Sequence, residues 1–332
     1  MKRLLLILQR VFSYALQIPG DTKEFGFNAA LWLWWVNVLP SQKGQRYIAF
    51  MTKWMNKCFE PVTEAFRNNT YDADMHIPEN HIQPKKIPIW VCWLQGEESM
   101  PELVKLCYRQ LKKNAPDYTE IHLLTIDNYD RYITLPKYVI RKFEEKKITM
   151  IHFTDIMRVS LLYAYGGMWI DSTVFTSKRL PDEFFKSRFY GQKMADKTRY
   201  PNEPSKAQWS GFLMSGQQGN KLFCYLRNTL WHYWNKQDTL IEYLILDYCL
   251  LSAREAMREF GEDIDNIKPN NEGLWELWNR INSPYNSDEY GRITSSTTFF
   301  KTSYKTELKK YTDKGEETFY KHMLDISNET GE

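Results

Sequence analysis

The sequence predicts an α/β sandwich on a mostly parallel sheet, preceded by a helical extension. Three observations carry this. Residues 87–94 (IPIWVCWL) are apolar at both alternating sets of positions, the pattern of a strand covered on both faces. From Lys85 onward, strand-like and helix-like stretches alternate as in βαβ units. Residues 153–175 (FTDIMRVSLLYAYGGMWIDSTVF) read as helix, Gly-Gly turn and short strand, with an aspartate at the strand's end.

Taken in order, residues 1–80 form a helical, basic and aromatic-rich region, 81–310 the main α/β domain and 311–332 a tail. Leu4, Leu8, Val11, Phe12 and Ala15 recur at helical spacing opposite Lys2, Gln9, Ser13 and Gln17, and Pro19-Gly20 ends the pattern. A second segment holds Trp32, Trp34 and Trp35, and a third helix runs roughly over 42–66. Residues 1–60 carry eight Lys/Arg against three Asp/Glu. Two readings stand side by side: the helices pack on the main domain, or a basic, Trp-rich surface meets a membrane, where indoles and basic side chains are favoured.

After the strand at 87–94, a helix is expected over 101–113, with Pro and Glu in its first turn and Lys112 and Lys113 near its end. The strand 120–125 (EIHLLT) and the polar turn DNYDRY follow. Thr154 or Asp155 caps the central helix, whose Ile156, Val159, Leu162 and Tyr165 face the sheet. Gly166-Gly167 ends it, because positive φ costs glycine little. Residues 168–170 then deliver Asp171 to the carboxyl end of a strand, the edge at which open α/β sheets bind ligands.

Composition narrows the function. With 43% hydrophobic residues, 15 Gly and 14 Pro in 332 residues, the chain buries a sizeable core, which excludes disorder and fibrous classes. A formal net charge of +3 gives no broad attraction for phosphate backbones, so nucleic acid is not an expected partner. Five cysteines without metal-type spacing point to reduced core thiols in a cytoplasmic protein. The leading MKRLLLILQR imitates a signal peptide, but Gln9 and Arg10 interrupt the apolar run, no A-x-A site follows, and no stretch approaches a membrane span.

Asp155 and Arg158, at i and i+3, place a carboxylate suited to sugar hydroxyls beside a guanidinium suited to phosphate. Asp171 emerges at the same end and suits a hard divalent cation bridging a diphosphate. Together they describe a nucleotide-diphosphate site, although each element alone also serves as a cap, a salt bridge or a turn.

On these residues the chain resembles the bacterial capsular polysaccharide synthesis proteins. Through its DXD-like region it also resembles the Och1-like mannosyltransferases and, more distantly, the clostridial toxin glucosyltransferases. IPIWVCWLQG resembles their opening strand, DYTEIHLLTIDNYDRYITLP their second strand and turn, and TTFFKTSYK their closing element, so that about residues 85–305 are covered. The resemblance implies a GT-A-type, Rossmann-like fold and transfer of a hexose from a nucleotide-diphosphate sugar, a UDP-sugar, to an oligosaccharide or lipid-linked glycan. It implies retention of anomeric configuration with no separate general base. Carried over, Trp93 stacks on the nucleobase, Asn128 lines the nucleoside pocket, and Asp155 and Arg158 hold ribose, sugar or diphosphate. Trp169 borders the sugar, Asp171 is the metal-side carboxylate, and Lys301 and Lys305 lie near the leaving diphosphate. Ser210, Gly211 and Asp247 are further site candidates, Asp247 with a catalytic role alongside Asp171 and Arg158. Thr173 stands where the second Asp of the motif belongs, as is common in capsular members. Asp171 and Thr173 thus form an all-oxygen pair for Mn²⁺ or Mg²⁺. Location at the inner face of the cytoplasmic membrane goes with such an acceptor.

Two other classes remain. A silent scaffold of a polysaccharide assembly complex would explain the incomplete motif. A haloacid-dehalogenase-like phosphatase would explain a strand ending in Asp, but needs a second Asp where Thr173 stands. His122 and His152 read as ordinary strand or loop residues.

Overall fold

The computed structural model describes residues 2–328, with side chains from residue 5 onward. The side chains of Lys2 and Leu4, and the last four residues of the expected tail, therefore lie outside what it describes. Four helices come first: α1 (Lys2–Ala15), α2 (Ile18–Phe25), α3 (Phe27–Val38) and α4 (Gln45–Arg67). Pro19-Gly20 does not end α1 as expected but lies in the first turn of α2, where proline's missing N–H has no helical partner to lose. α4 carries a stripe of buried residues, among them Tyr47, Met51, Met55, Phe59, Val62 and Phe66, at helical spacing.

The α/β part follows. In chain order it comprises β1 (Ile87–Cys92), α5 (Glu102–Asn114), β2 (Thr119–Leu124), α6 (Lys137–Glu144), α7 (Met150–Tyr165) and β3 (Gly167–Ile170). Then come β4 (Val174–Thr176), α8 (Glu183–Lys186), β5 (Phe189–Gly191), β6 (Leu213–Gly216), α9 (Lys221–Lys236), α10 (Ile245–Ala256) and β7 (Phe299–Lys301). The main sheet has the order β2-β1-β3-β6-β5. β1 is parallel to both β2 and β3, and β6 alone runs against the rest. β4 and β7 form a separate antiparallel pair.

The sheet is covered on both faces, as the doubly apolar β1 required. Trp90 and Trp169 join one core with residues of α4, α7 and α9, while Ile89, Val91, Met168 and Ile170 join another with Val104 and Leu111 of α5. α4 packs on α9 and α10, so the leading helices share the sheet's core. A last helix, Phe319–Asn328, packs on α5, with the Tyr320 hydroxyl donating to Glu102 at 2.7 Å.

α7 begins earlier than expected. Its cap is Thr149, whose side chain accepts from the His152 amide, and Thr154 and Asp155 sit in the second turn. The first-turn residues Met150 and Ile151 are exposed, so the apolar periodicity starts only after the helix has begun. At the other end, Gly166 and Gly167 both have positive φ (68° and 84°). A side chain on Gly167 would also run into the Pro88 carbonyl, and the Gly166 carbonyl accepts from the Trp90 indole at 3.0 Å.

Two glycine substitutions should therefore have opposite signs. Gly167→Ala meets both the wrong φ and the β1 backbone and should cost about 2–4 kcal/mol. Gly20→Ala, in a helix and facing open space, should add up to about 1 kcal/mol. Thermal and urea unfolding of the two variants checks both.

Candidate functional site

A cleft of about 440 Å³ opens at the carboxyl edge of β1 and β3. Trp93–Gln95 leave β1 into it, Asp171-Ser172-Thr173 leave β3 into it, and Lys301–Lys305 close it from β7. α7 supplies Met150, Ile151, Thr154 and Arg158.

At its centre is a chain of alternating charges. Arg158 Nη1 lies 2.9 Å from Asp155, and its Nη2 lies 3.1 Å from Asp171 Oδ1. The Trp169 indole donates to the same Oδ1 at 3.0 Å, and its ring lies 4.8 Å beneath the guanidinium. Asp171 Oδ2 accepts from Lys301 Nζ at 2.9 Å, and the ammonium also donates to the Thr173 hydroxyl at 3.0 Å. Lys301 is placed by pairing with Val174 across β4 and β7, and Thr302 donates twice, through its amide and its hydroxyl, to the Thr173 carbonyl. Burial alone would push the Asp171 carboxyl up; the Lys301 ammonium, then the Arg158 guanidinium, outweigh it and hold the group below its ordinary value. Asp155 is shifted the other way by burial, which Arg158 and His152 only partly offset.

Of the expected site residues, Trp93, Arg158, Trp169, Asp171, Thr173, Lys301 and Lys305 line this one cleft. Trp93 is half-buried, tied by its indole N–H to Ser99 and set edge-on to Tyr304. Asp155 is 7% exposed and stands behind Arg158, while its neighbour Thr154 faces the cleft. Asn128 does not reach the cleft wall: its amide oxygen accepts from the Thr125 N–H and its nitrogen donates to the Leu123 carbonyl, which closes the turn after β2. Gly211 lies under Arg158, where a Cβ would come within 2.9 Å of Nη1; only a glycine leaves the guanidinium room. Ser210 is buried, and among the described residues its hydroxyl has no partner. Asp247, on α10, lies behind Asp155. Burial, then the charges of Glu203 and Asp155, raise it to about 7.

Several contributors escaped the sequence. Tyr243 and Trp275 line the cleft from loops far away in the chain, and Tyr304 faces Trp93. His152 is neither strand nor loop but helical and buried; its Nδ1 meets the Thr149 hydroxyl and its Nε2 donates to the Tyr243 carbonyl at 3.2 Å, fixing the rim. Of these, only Tyr304 had a local signal, the tyrosine of TTFFKTSYK.

All five cysteines are free thiols, three of them buried. Cys92 lines the cleft, but burial pushes its thiol up to about 12, so it stays protonated and is no nucleophile.

The donor set suits an ammonium better than a hard divalent cation. Mn²⁺ and Mg²⁺ want about six oxygens at short range. Here both oxygens of Asp171 accept from nitrogen donors, and the Thr173 hydroxyl lies against Lys301. Among the described residues no three His, Cys, Asp or Glu side chains converge on a point.

The profile of the capsular polysaccharide synthesis protein family matches residues 33–323. No curated protein matches the chain.

Asp247 generates a pH prediction. Its folded value is raised from 3.8 to about 7, so the folded state holds the proton more tightly and stability falls as pH rises between those values. Asp247→Asn should be about 1–3 kcal/mol more stable than the parent near pH 8 and show no gain near pH 4. Melting curves across that range check it; a gain independent of pH would contradict it.

Proposed function

We propose that this chain, which belongs to the capsular polysaccharide synthesis protein family and so has a role in capsule biosynthesis, transfers a hexose from a nucleotide-diphosphate sugar, a UDP-sugar, to a glycan hydroxyl. The observation that carries this is one cleft at the carboxyl edge of parallel strands, with a Trp93–Tyr304 aromatic corner beside the cations Lys301, Lys305 and Arg158. A nucleobase stacks on Trp93, and the diphosphate lies over Lys301 and Lys305, where negative charge develops as the glycosyl bond breaks. The sugar faces Trp169 and Arg158. Retention follows if the departing phosphate oxygen takes the acceptor proton, so no further base is assigned.

Asp171 serves as the positioner of this site. An asparagine there would offer one acceptor and turn an N–H₂ toward either the Lys301 or the Arg158 donors. Purified protein, incubated with a panel of nucleotide sugars, should release nucleotide from one of them. Asp171→Asn should lower that turnover about 100-fold or more, and Trp93→Ala should raise the donor KM about tenfold through lost stacking. If no nucleotide sugar is turned over and none binds, the scaffold reading replaces this one; release of phosphate from monoesters would support the phosphatase.

The glycan acceptor is read as lipid-linked because of α1 and α3. Leu5, Leu8 and Phe12 form a stripe on α1 that Leu16 continues in the turn after it, and Phe27, Leu31 and Trp35 form another on α3; all seven are exposed, Phe12 at 69% and Leu16 at 84%. Among the described side chains of α1, Ile7, Val11, Tyr14 and Ala15 are partly buried. Among the described residues no helix is long and apolar enough to cross a membrane, whereas an apolar stripe in a leading segment of eight Lys/Arg against three Asp/Glu suits a surface lying on an anionic bilayer. Deleting α1 to α3 would strip Ala29, Leu33 and Val36 from the shared core, so substitution is the cleaner probe. Leu8→Gln with Phe12→Gln should reduce co-sedimentation with anionic vesicles about tenfold or more and leave the melting temperature in place. Equal binding by parent and variant would remove the membrane from the proposal.

A further inference from the structure

Lys301 lies against the two side chains that the sequence offered to a divalent metal. The two side chains that a D-x-T motif offers to a cation are Asp171 and Thr173, and the Lys301 ammonium already sits on both, at 2.9 and 3.0 Å. It is not a mobile surface lysine. Its side chain is 17% exposed, its backbone pairs with Val174, its amide donates to the Leu274 carbonyl, and the Phe212 ring lies 4.7 Å from Nζ.

The count of bonds and charges agrees. An ammonium has three N–H donors; two are used, and among the described residues the third has no hydrogen-bond partner in a cleft that Lys301 itself lines. The other oxygen of Asp171 is taken by Arg158 and Trp169, so three of the carboxylate's four acceptor sites are filled by nitrogen donors, and a metal would have to displace the ammonium or share its oxygen. Asp155, Arg158, Asp171 and Lys301 sum to zero, and Lys305 adds one exposed positive charge at the mouth. A divalent cation would be added to a site already neutral, whereas a diphosphate would meet a ready N–H and a second cation.

We propose that Lys301 replaces the divalent metal, so that a nucleoside diphosphate binds to Lys301 and Lys305 without any metal ion. The inference rests on the nucleotide-diphosphate reading above. It separates two roles that a metal-binding motif would merge: the phosphate is held by the lysine, and Asp171 holds the lysine.

Calorimetric titration of the full chain tests this, using UDP, GDP, CDP and ADP, once in EDTA and once in Mn²⁺. One diphosphate should bind in EDTA with a Kd within about threefold of that in Mn²⁺, and Mn²⁺ alone should give no binding heat. Lys301→Met should weaken that binding about tenfold or more, and Lys301→Arg should restore most of it. Asp171→Asn should weaken binding in EDTA less than Lys301→Met does, even where turnover is lost, because it loosens the lysine's position and does not remove a ligand of the phosphate. Melting curves of each variant separate these effects from misfolding, and a Lys301 variant that unfolds is replaced by carbamylation of the parent with and without diphosphate protection of Lys301. Binding that requires Mn²⁺, is lost in Asp171→Asn, or is indifferent to Lys301 overturns the inference and leaves the donor reading standing. No diphosphate binding under either condition overturns both.

Discussion

One carboxylate organises the site. Asp171 accepts from three donors on three elements: Arg158 of α7, Trp169 of β3 and Lys301 of β7. Only the Trp169 contact is local. β4 and β7 are three residues each, and so short a pair is marginal alone. It is held at this edge by the Lys301–Asp171 ion pair, by the two Thr302 bonds to Thr173, and by the packing of Phe299 and Phe300. Taking such charges out of water costs about as much as their attraction returns, so the chain of ion pairs acts mainly as a positioning device. Its value lies in fixing a guanidinium, an indole and an ammonium around one point.

The backbone makes that point available. The positive φ of Gly166 and Gly167 lets α7 turn directly into β3 while passing against Pro88. α7 is buried nearly all round between the sheet and α9, so Arg158 has little freedom except toward the cleft. The opposite wall is set from far away. Loop residues 237–244 are pinned at Asp238 by Lys142 and Lys147, at Glu242 by Lys43 and Tyr47, and at Tyr243 by His152. The leading helices are thus part of the rim's support, while the membrane reading stays a proposal for the exposed face of α1. α3 and α4 turn buried residues into the shared core, whereas α1 leaves an apolar stripe uncovered.

What the sequence made legible was local. The doubly apolar β1, the Gly-Gly turn and the i, i+3 pairing of Asp155 with Arg158 depend on neighbours within a few residues, and each stands in the structure. The end of a strand likewise placed Asp171 at the ligand edge. What stayed hidden depends on pairs distant in the chain: Lys301 meets Asp171 across 130 positions, and His152 meets Tyr243 across 91. Element starts misled for a related reason. Met150 and Ile151 are apolar but exposed in the first turn of α7, and Pro19-Gly20 reads equally well as a helix end and as the opening of the next helix. Asn128 shows the other limit, since an Asn in a turn has two uses and here the turn takes both ends of its amide.

The order of charges along the cleft also gives the proposed donor a direction. Arg158 links Asp155 to Asp171, and Asp171 links on to Lys301, with Lys305 beyond. In the other direction Asp155 backs onto Asp247 and Glu203, whose mutual repulsion is what raises Asp247 beyond the effect of burial. The cleft mouth is therefore cationic, with the neutral Arg158–Asp171 bridge inward of it and the carboxyls of Asp155, Asp247 and Glu203 set behind the wall. A nucleotide sugar is itself polar in the same sense, with its anionic diphosphate at one end and a ring of hydroxyls, positive at the breaking bond, at the other. A donor of that polarity would be oriented by such a field before individual contacts form, which supports the proposed reading. Because the bridge is neutral only while Asp171 is ionised, protonating that one carboxyl would disturb both ends at once, and the two cations that flank it keep it ionised.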